Sequence, residues 1–167
     1  MRNRNILKTY TDTDFDNLSW HDCHMWGIRF RCGNPEEDDW TSDLVLDIDF
    51  IEDWVCGVDG NCQFRVAPAT LVFHDVTDPR IDIRWEPSGY QVSIHEISIG
   101  NISRERVKDQ QICFDRSYYC WLVELNWPDG SEITFGASGF TQTVLAEPLL
   151  IDNQYLTLKQ RAQLLAT

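Results

Sequence analysis

Apolar and polar positions along the chain repeat mainly at period two. From Trp20 to Phe30 the set Trp20, Asp22, His24, Trp26, Ile28 and Phe30 alternates with His21, Cys23, Met25, Gly27 and Arg29, so one face turns apolar toward its far end. The run SDLVLDIDFIEDW, from Ser42 to Trp54, places Leu44, Leu46, Ile48 and Phe50 on one face and Val45, Asp47, Asp49 and Ile51 on the other. That division predicts a strand with one side packed and one side wet. Ala69 to Phe73 and Arg80 to Trp85, separated by HDVTDP, match Leu71 and Phe73 to Ile81, Ile83 and Trp85. They are expected to lie side by side, antiparallel.

Turn chemistry divides these runs. In CGVDGNC, Asp59-Gly60 predicts a hairpin whose three-residue loop holds Gly60 in the left-handed position and sets Cys56 opposite Cys62. Glu86-Pro87-Ser88-Gly89 and Trp127-Pro128-Asp129-Gly130 share one logic: proline fixes φ at the second position, and glycine takes positive φ at the fourth. Each predicts a tight hairpin. Ser103 to Lys108 is expected to form one short helical turn capped by Ser103. Thr157-Leu158-Lys159-Gln160 fits a capping box, and Leu158, Ala162 and Leu165 follow at helical spacing, predicting a helix over 157–166 that covers a sheet face or edge. Together these elements predict a mainly β chain, an antiparallel two-layer sandwich or curled sheet of about eight to ten strands with a C-terminal helix. No repeat or linker divides the 167 residues, so residues 1–167 are read as a single domain with a mobile N-terminal segment over 1–17.

Composition supports a packed chain and biases its partners. Hydrophobic residues make up 43% and aromatic residues 12%, enough for a real core. With 27 acidic residues against 14 basic, the formal charge of -13 repels nucleic acid and anionic membranes and attracts basic proteins. The opening MRNRNILKTYTDTDFD lacks an apolar export core, and no long apolar run follows, so a cytoplasmic protein without membrane spans is expected. In that setting the six cysteines, Cys23, Cys32, Cys56, Cys62, Cys113 and Cys120, are better read as reduced and mostly buried, while Cys56 and Cys62, facing each other across the hairpin, are also placed to oxidise or to bind a soft metal.

Catalytic patterns mostly fail. HEISI, at His95, has Ile99 where a zincin's second histidine belongs; TDTDFDN has Asn17 where a calcium loop needs glycine; in GASGF, Gly139 directly follows Ser138, unlike a nucleophile elbow. Neither G-x-G-x-x-G nor a Walker loop occurs, so no cofactor is expected. In HDCH, His21 to His24, the histidines are read as hydrogen-bonded to neighbours rather than as metal ligands. The carboxylates of Asp47, Asp49, Glu52 and Asp53, with Trp54 beside them, suit recognition of lysine or arginine side chains on a basic protein or peptide. The same group suggests a divalent-metal site of Asp47, Asp49 and Asp82 with His74 as general base, which would make the protein a hydrolase. Against the metal, Arg80 and Arg84 offer an ordinary acid–base ladder across neighbouring strands. A tryptophan-lined concavity holding a small ligand is a third reading.

LSWHDCHMWGIRF, LVLDIDFIEDW, APATLVFHDVTDPRIDIRW and ASGFTQTVLAEPLL together resemble a bacterial family of single-domain proteins known by an uncharacterised-domain label. The resemblance runs from about Leu18 to the terminal helix, with APATLVFHDVTD its most distinctive part. It implies no established activity, cofactor or catalytic residue. Small acidic bacterial proteins of this kind suggest immunity proteins, which neutralise toxins by binding them. A non-catalytic binding protein is therefore the leading expectation, with the metal-dependent hydrolase and the small-ligand domain as alternatives.

Overall fold

The computed structural model describes residues 8–85, 96–108 and 117–166. Within them the chain forms β1 (Lys8–Thr11), β2 (His24–Cys32), β3 (Ser42–Cys56), β4 (Cys62–His74), β5 (Thr77–Asp82), β6 (Ile97–Arg106), β7 (Tyr119–Trp127), β8 (Glu132–Ala137), β9 (Gly139–Val144), β10 (Leu149–Ile151) and one helix, α1 (Leu158–Ala166). The ten strands make one open antiparallel sheet in the order β1-β9-β4-β3-β2-β6-β7-β8-β5, with β10 added to β4.

The sheet curls on itself. Among the described residues β2 joins β6 through two residue pairs, His24 with Ser98 and Met25 with Ile97, and the halves on either side of this seam pack face to face. Phe73 of β4 meets Trp121 of β7 at 4.9 Å and Phe135 of β8 at 4.7 Å between ring centroids. Leu44, Leu46, Ile48 and Leu71 from one half and Ile99, Val123 and Ile133 from the other complete the buried interior. This is the curled sheet expected, and burying these rings supplies much of the driving force for its curl.

Residues 8–17, read as part of a mobile segment, form β1 against β9 and a 3-10 helix over Asp12–Asn17. Two devices hold this helix. The Thr11 amide donates to Asp14 at 2.8 Å, and the Asp12 carboxylate accepts from the Phe140 amide at 3.1 Å while pairing with Arg104. The Arg104 guanidinium lies 4.2 Å from the Phe15 ring centroid and 4.4 Å from that of Tyr119, a cation held between aromatic faces.

Several expectations change. Ala69–Phe73 and Arg80–Trp85 are not neighbours: β5 pairs with β8, because β3 and β9 already occupy both edges of β4 over this stretch. Asp75, at positive φ, turns the chain between β4 and β5, and Asp78, also at positive φ, sits in the register shift between Thr77 and Arg80 within β5. Ser103 to Lys108 contains no helical turn; it continues β6, whose pairing with β7 outweighs the local capping preference of Ser103. The Trp127–Gly130 turn does join β7 to β8, with Gly130 at φ 70° and a cis Trp127–Pro128 bond, whereas the Glu86–Gly89 turn lies outside the described residues. The CGVDGNC hairpin forms as expected, with Gly60 at φ 82°, but Cys56 and Cys62 are joined in a disulfide rather than reduced. Of the other described cysteines only Cys23 is buried, since Cys32 and Cys120 are exposed. Among the described residues no helix is long and apolar enough to cross a membrane.

Candidate functional site

The acidic run of β3 divides into two environments. Asp49 has 0% exposure, contrary to its placement on a wet face, because this side of the strand is also covered: Val45 and Ile51 are buried there too. The cover comes from the chain after β10. The capping box forms, with the Thr157 amide donating to Gln160 at 2.8 Å and the Gln160 amide to the Thr157 hydroxyl at 3.2 Å. The helix it starts then turns Arg161 inward, leaving Leu158 and Ala162 exposed. Arg161 donates to Asp49, to Asp47 and, at 3.3 Å, to the Ile48 carbonyl. The Leu156 amide adds a fourth tie, donating to Asp49 at 2.9 Å. Burial pushes the Asp49 carboxyl upward, against the neighbouring Trp26 indole first and then the Leu156 amide and Arg161, which favour its charged form. Asp49 is thus withdrawn from any partner, and Asp47 is largely neutralised.

Glu52, Asp53 and Trp54 stay accessible. A register shift between Ile51 and Asp53 leaves Glu52 as a bulge opposite β4, and such bulges re-aim the side chains around them. Trp54 packs edge-on against Phe64 at 5.0 Å, stacks on His21 at 6.3 Å and remains 44% exposed. The His21 ring is fixed in turn by Nδ1, 3.0 Å from the Gly100 carbonyl. Tyr10, Asp14, His21, Glu52, Asp53 and Trp54 line one cleft of about 480 Å³. Within it the Lys8 ammonium reaches Glu52 at 3.1 Å and lies 4.9 Å from the Tyr10 ring centroid. Tyr10 first and Glu52 second hold that ammonium above the ordinary lysine value.

The proposed metal set does not converge. Asp82, on β5 at the far edge of the sheet, pairs with Arg84 two residues on. His74 belongs to a polar row across β2, β3, β4 and β9: Arg31 binds Asp43, Asp43 lies 3.3 Å from His74 Nδ1, and His74 Nε2 lies 2.9 Å from the Thr141 hydroxyl. Asp47 and Asp49 already hold Arg161, so these four residues do not share a cation. Among the described residues no group of three or more His, Cys, Asp or Glu side chains is placed to hold a metal ion. The expected ladder of Arg80 and Arg84 against β3 is likewise absent, since β5 and β3 are not adjacent.

A second cleft, of about 670 Å³, opens beside the His24–Ser98 and Met25–Ile97 pairs of β2 and β6. A register shift leaves Trp26 as the bulged residue there, and the walls are His24, Trp26, Glu96, Trp127 and Tyr155. His24 packs against Trp26 at 4.5 Å and Tyr155 at 5.0 Å, and its Nδ1 is buried without a partner among the described residues. The buried Trp26 indole N–H lies beside Asp49 without closing a hydrogen bond to it. Burial pulls the His24 pKa down, against the nearby Asp49 and Glu96. The aromatic walls come from β2, the end of β7 and the segment before α1, so no contiguous motif announces them.

Arg161 was equally hidden, although one signal existed. Val45 and Ile51 flank Asp47 and Asp49 on the second face of Leu44–Ile51, which allows a strand covered on both sides, and an acid inside such a strand requires a buried cation. No protein-family model, curated protein or solved structure matches the chain, so neither its family nor its activity is assigned by likeness.

Proposed function

We propose that this is a non-catalytic binding protein that captures a basic protein or peptide through the cleft of Asp14, Glu52, Asp53 and Trp54. The observation that carries the reading is Lys8: the cleft already seats one lysine of its own chain between Glu52 and the Tyr10 face. That seat combines a carboxylate with an aromatic ring, the chemistry a partner's lysine or arginine would use. The net charge of -13 adds long-range attraction for such a partner. An immunity role, with a basic toxin as the captured protein, is the form this takes if the family resemblance holds. Asp47 and Asp49 drop out of the binding face because Arg161 holds them.

The test is fluorescence anisotropy with a labelled octalysine peptide over a range of salt. Binding is expected to weaken as salt rises, and Trp54→Ala and Glu52→Gln each weaken it further. Lys8→Ala empties the seat and tightens binding, whereas Lys159→Ala, which changes net charge equally, does not. Absent or salt-insensitive binding refutes the proposal, as do Trp54→Ala and Glu52→Gln proteins that bind like the parent.

A further inference from the structure

We propose that the cleft between β2 and β6 is a binding site for a small organic cation of the alkylammonium class. It shares no lining residue with the lysine-seating cleft and stands or falls separately.

Its walls are what such a cation requires. Trp127 and Tyr155 are 48% and 40% exposed and line the cleft, and with Trp26 they offer π-systems that attract positive charge. Glu96 supplies a carboxylate at the rim. Behind the wall one guanidinium, Arg161, stands against Asp47 and Asp49, so the surroundings are negative overall. Trp26 already binds a cation on one side, with the Arg161 guanidinium carbon 5.4 Å from its ring centroid. His24, with its proton affinity lowered by burial, adds no repelling charge at neutral pH, and its buried Nδ1 lacks a partner among the described residues. A neutral sugar would use the same ring faces but would gain nothing from the negative surroundings.

The cleft owes its existence to the fold. β2 pairs with β3 as far as Cys32 and, among the described residues, with β6 at His24 and Met25. The bulged Trp26 and Trp127, which pairs with Ser98, both wall the cleft beside these pairs. Bulges of this kind gather next to binding sites because they turn a side chain out of the ladder.

The experiment is titration of the folded protein with choline, followed through the indole N–H resonances of Trp26 and Trp127. Two reference ligands run beside it: 3,3-dimethylbutan-1-ol, the uncharged isostere of choline, and glucose. Saturable shifts of both indoles with choline are expected, with the isostere weaker by about tenfold, the size of a partly desolvated cation–π contact. Trp127→Ala and Glu96→Gln, both surface changes whose folding is checked by near-ultraviolet circular dichroism, each weaken choline binding by about fivefold or more. Equal binding of the isostere, saturable binding of glucose alone, no saturable shift with choline, or unchanged affinity in both variants would each overturn the proposal.

Discussion

Replacing Arg161 with methionine leaves Asp49 charged and buried with one amide partner. The substitution keeps most of the aliphatic volume, so its effect reports on charge rather than on a cavity. The Asp49 side chain has 0% exposure and that of Arg161 8%, so almost none of the lost interaction is recovered from water. Asp47, whose side chain is 49% exposed, rehydrates readily and contributes less than about 1 kcal/mol. Uncovering a buried charge costs about 3–5 kcal/mol, which for a chain of this size lowers Tm by about 10 °C.

The pH dependence has a definite sign. Burial already raises the Asp49 pKa, so the native state holds this proton more tightly than the unfolded chain does, and the carboxylate's destabilising effect grows as pH rises through the raised value. Removing Arg161 lifts that value further. The deficit of Arg161→Met is therefore larger at pH 7 than at pH 5. Urea unfolding followed by tryptophan fluorescence measures both, and Asp49→Asn added to Arg161→Met recovers about 2 kcal/mol or more, since the uncompensated charge is gone. A loss below about 1 kcal/mol, or an equal loss with and without Asp49→Asn, would refute the account of this pair.

Four further outcomes follow from other residues. Alkylation of the native protein is expected to label the exposed Cys32 and Cys120, to spare Cys56 and Cys62 until reductant is added, and to reach Cys23 only on unfolding, because burial pushes that thiol up to about 12. Replacing Cys56 and Cys62 together with serine lowers stability by about 2 kcal/mol, the loop-closure value for so short a loop, read from urea midpoints. For His24, whose folded pKa lies below the unfolded value, stability falls as pH drops below about 6.5, and His24→Phe flattens that part of the pH profile. Arg104→Lys keeps the charge but loses the planar contacts to Phe15 and Tyr119, costing about 1–2 kcal/mol in thermal melts; a melt identical to the parent's would remove those contacts from the account.

The strands were legible where alternation and turn chemistry agreed. Leu44 to Phe50, the Asp59-Gly60 hairpin and the Thr157–Gln160 box all formed because local preference and tertiary packing favour the same geometry. What failed was information held between strands. Matching apolar sets on residues 69–73 and 80–85 could not reveal that β9 fills the edge β5 would need. The helix stripe Leu158, Ala162 and Leu165 missed Arg161 because a hydrophobic count gives no weight to a cation that is buried only when a carboxylate faces it. Of the expected binding residues, Glu52, Asp53 and Trp54 share a cleft, while Asp47 and Asp49 lie in another environment; a single bulge at Glu52 separates the two, and bulges leave little trace in composition.

The distance along the chain between Asp49 and Arg161, 112 residues, bears on how the protein is made. At ribosomal rates that interval lasts roughly 6–20 s, during which the strand exists without the cation that will cover its acid. Through that time the Asp49 charge is hydrated and discourages the greasy ribbon around it from pairing with neighbouring nascent chains. A carboxylate fully hidden in the finished molecule thus acts, during synthesis, as a gatekeeper against premature aggregation.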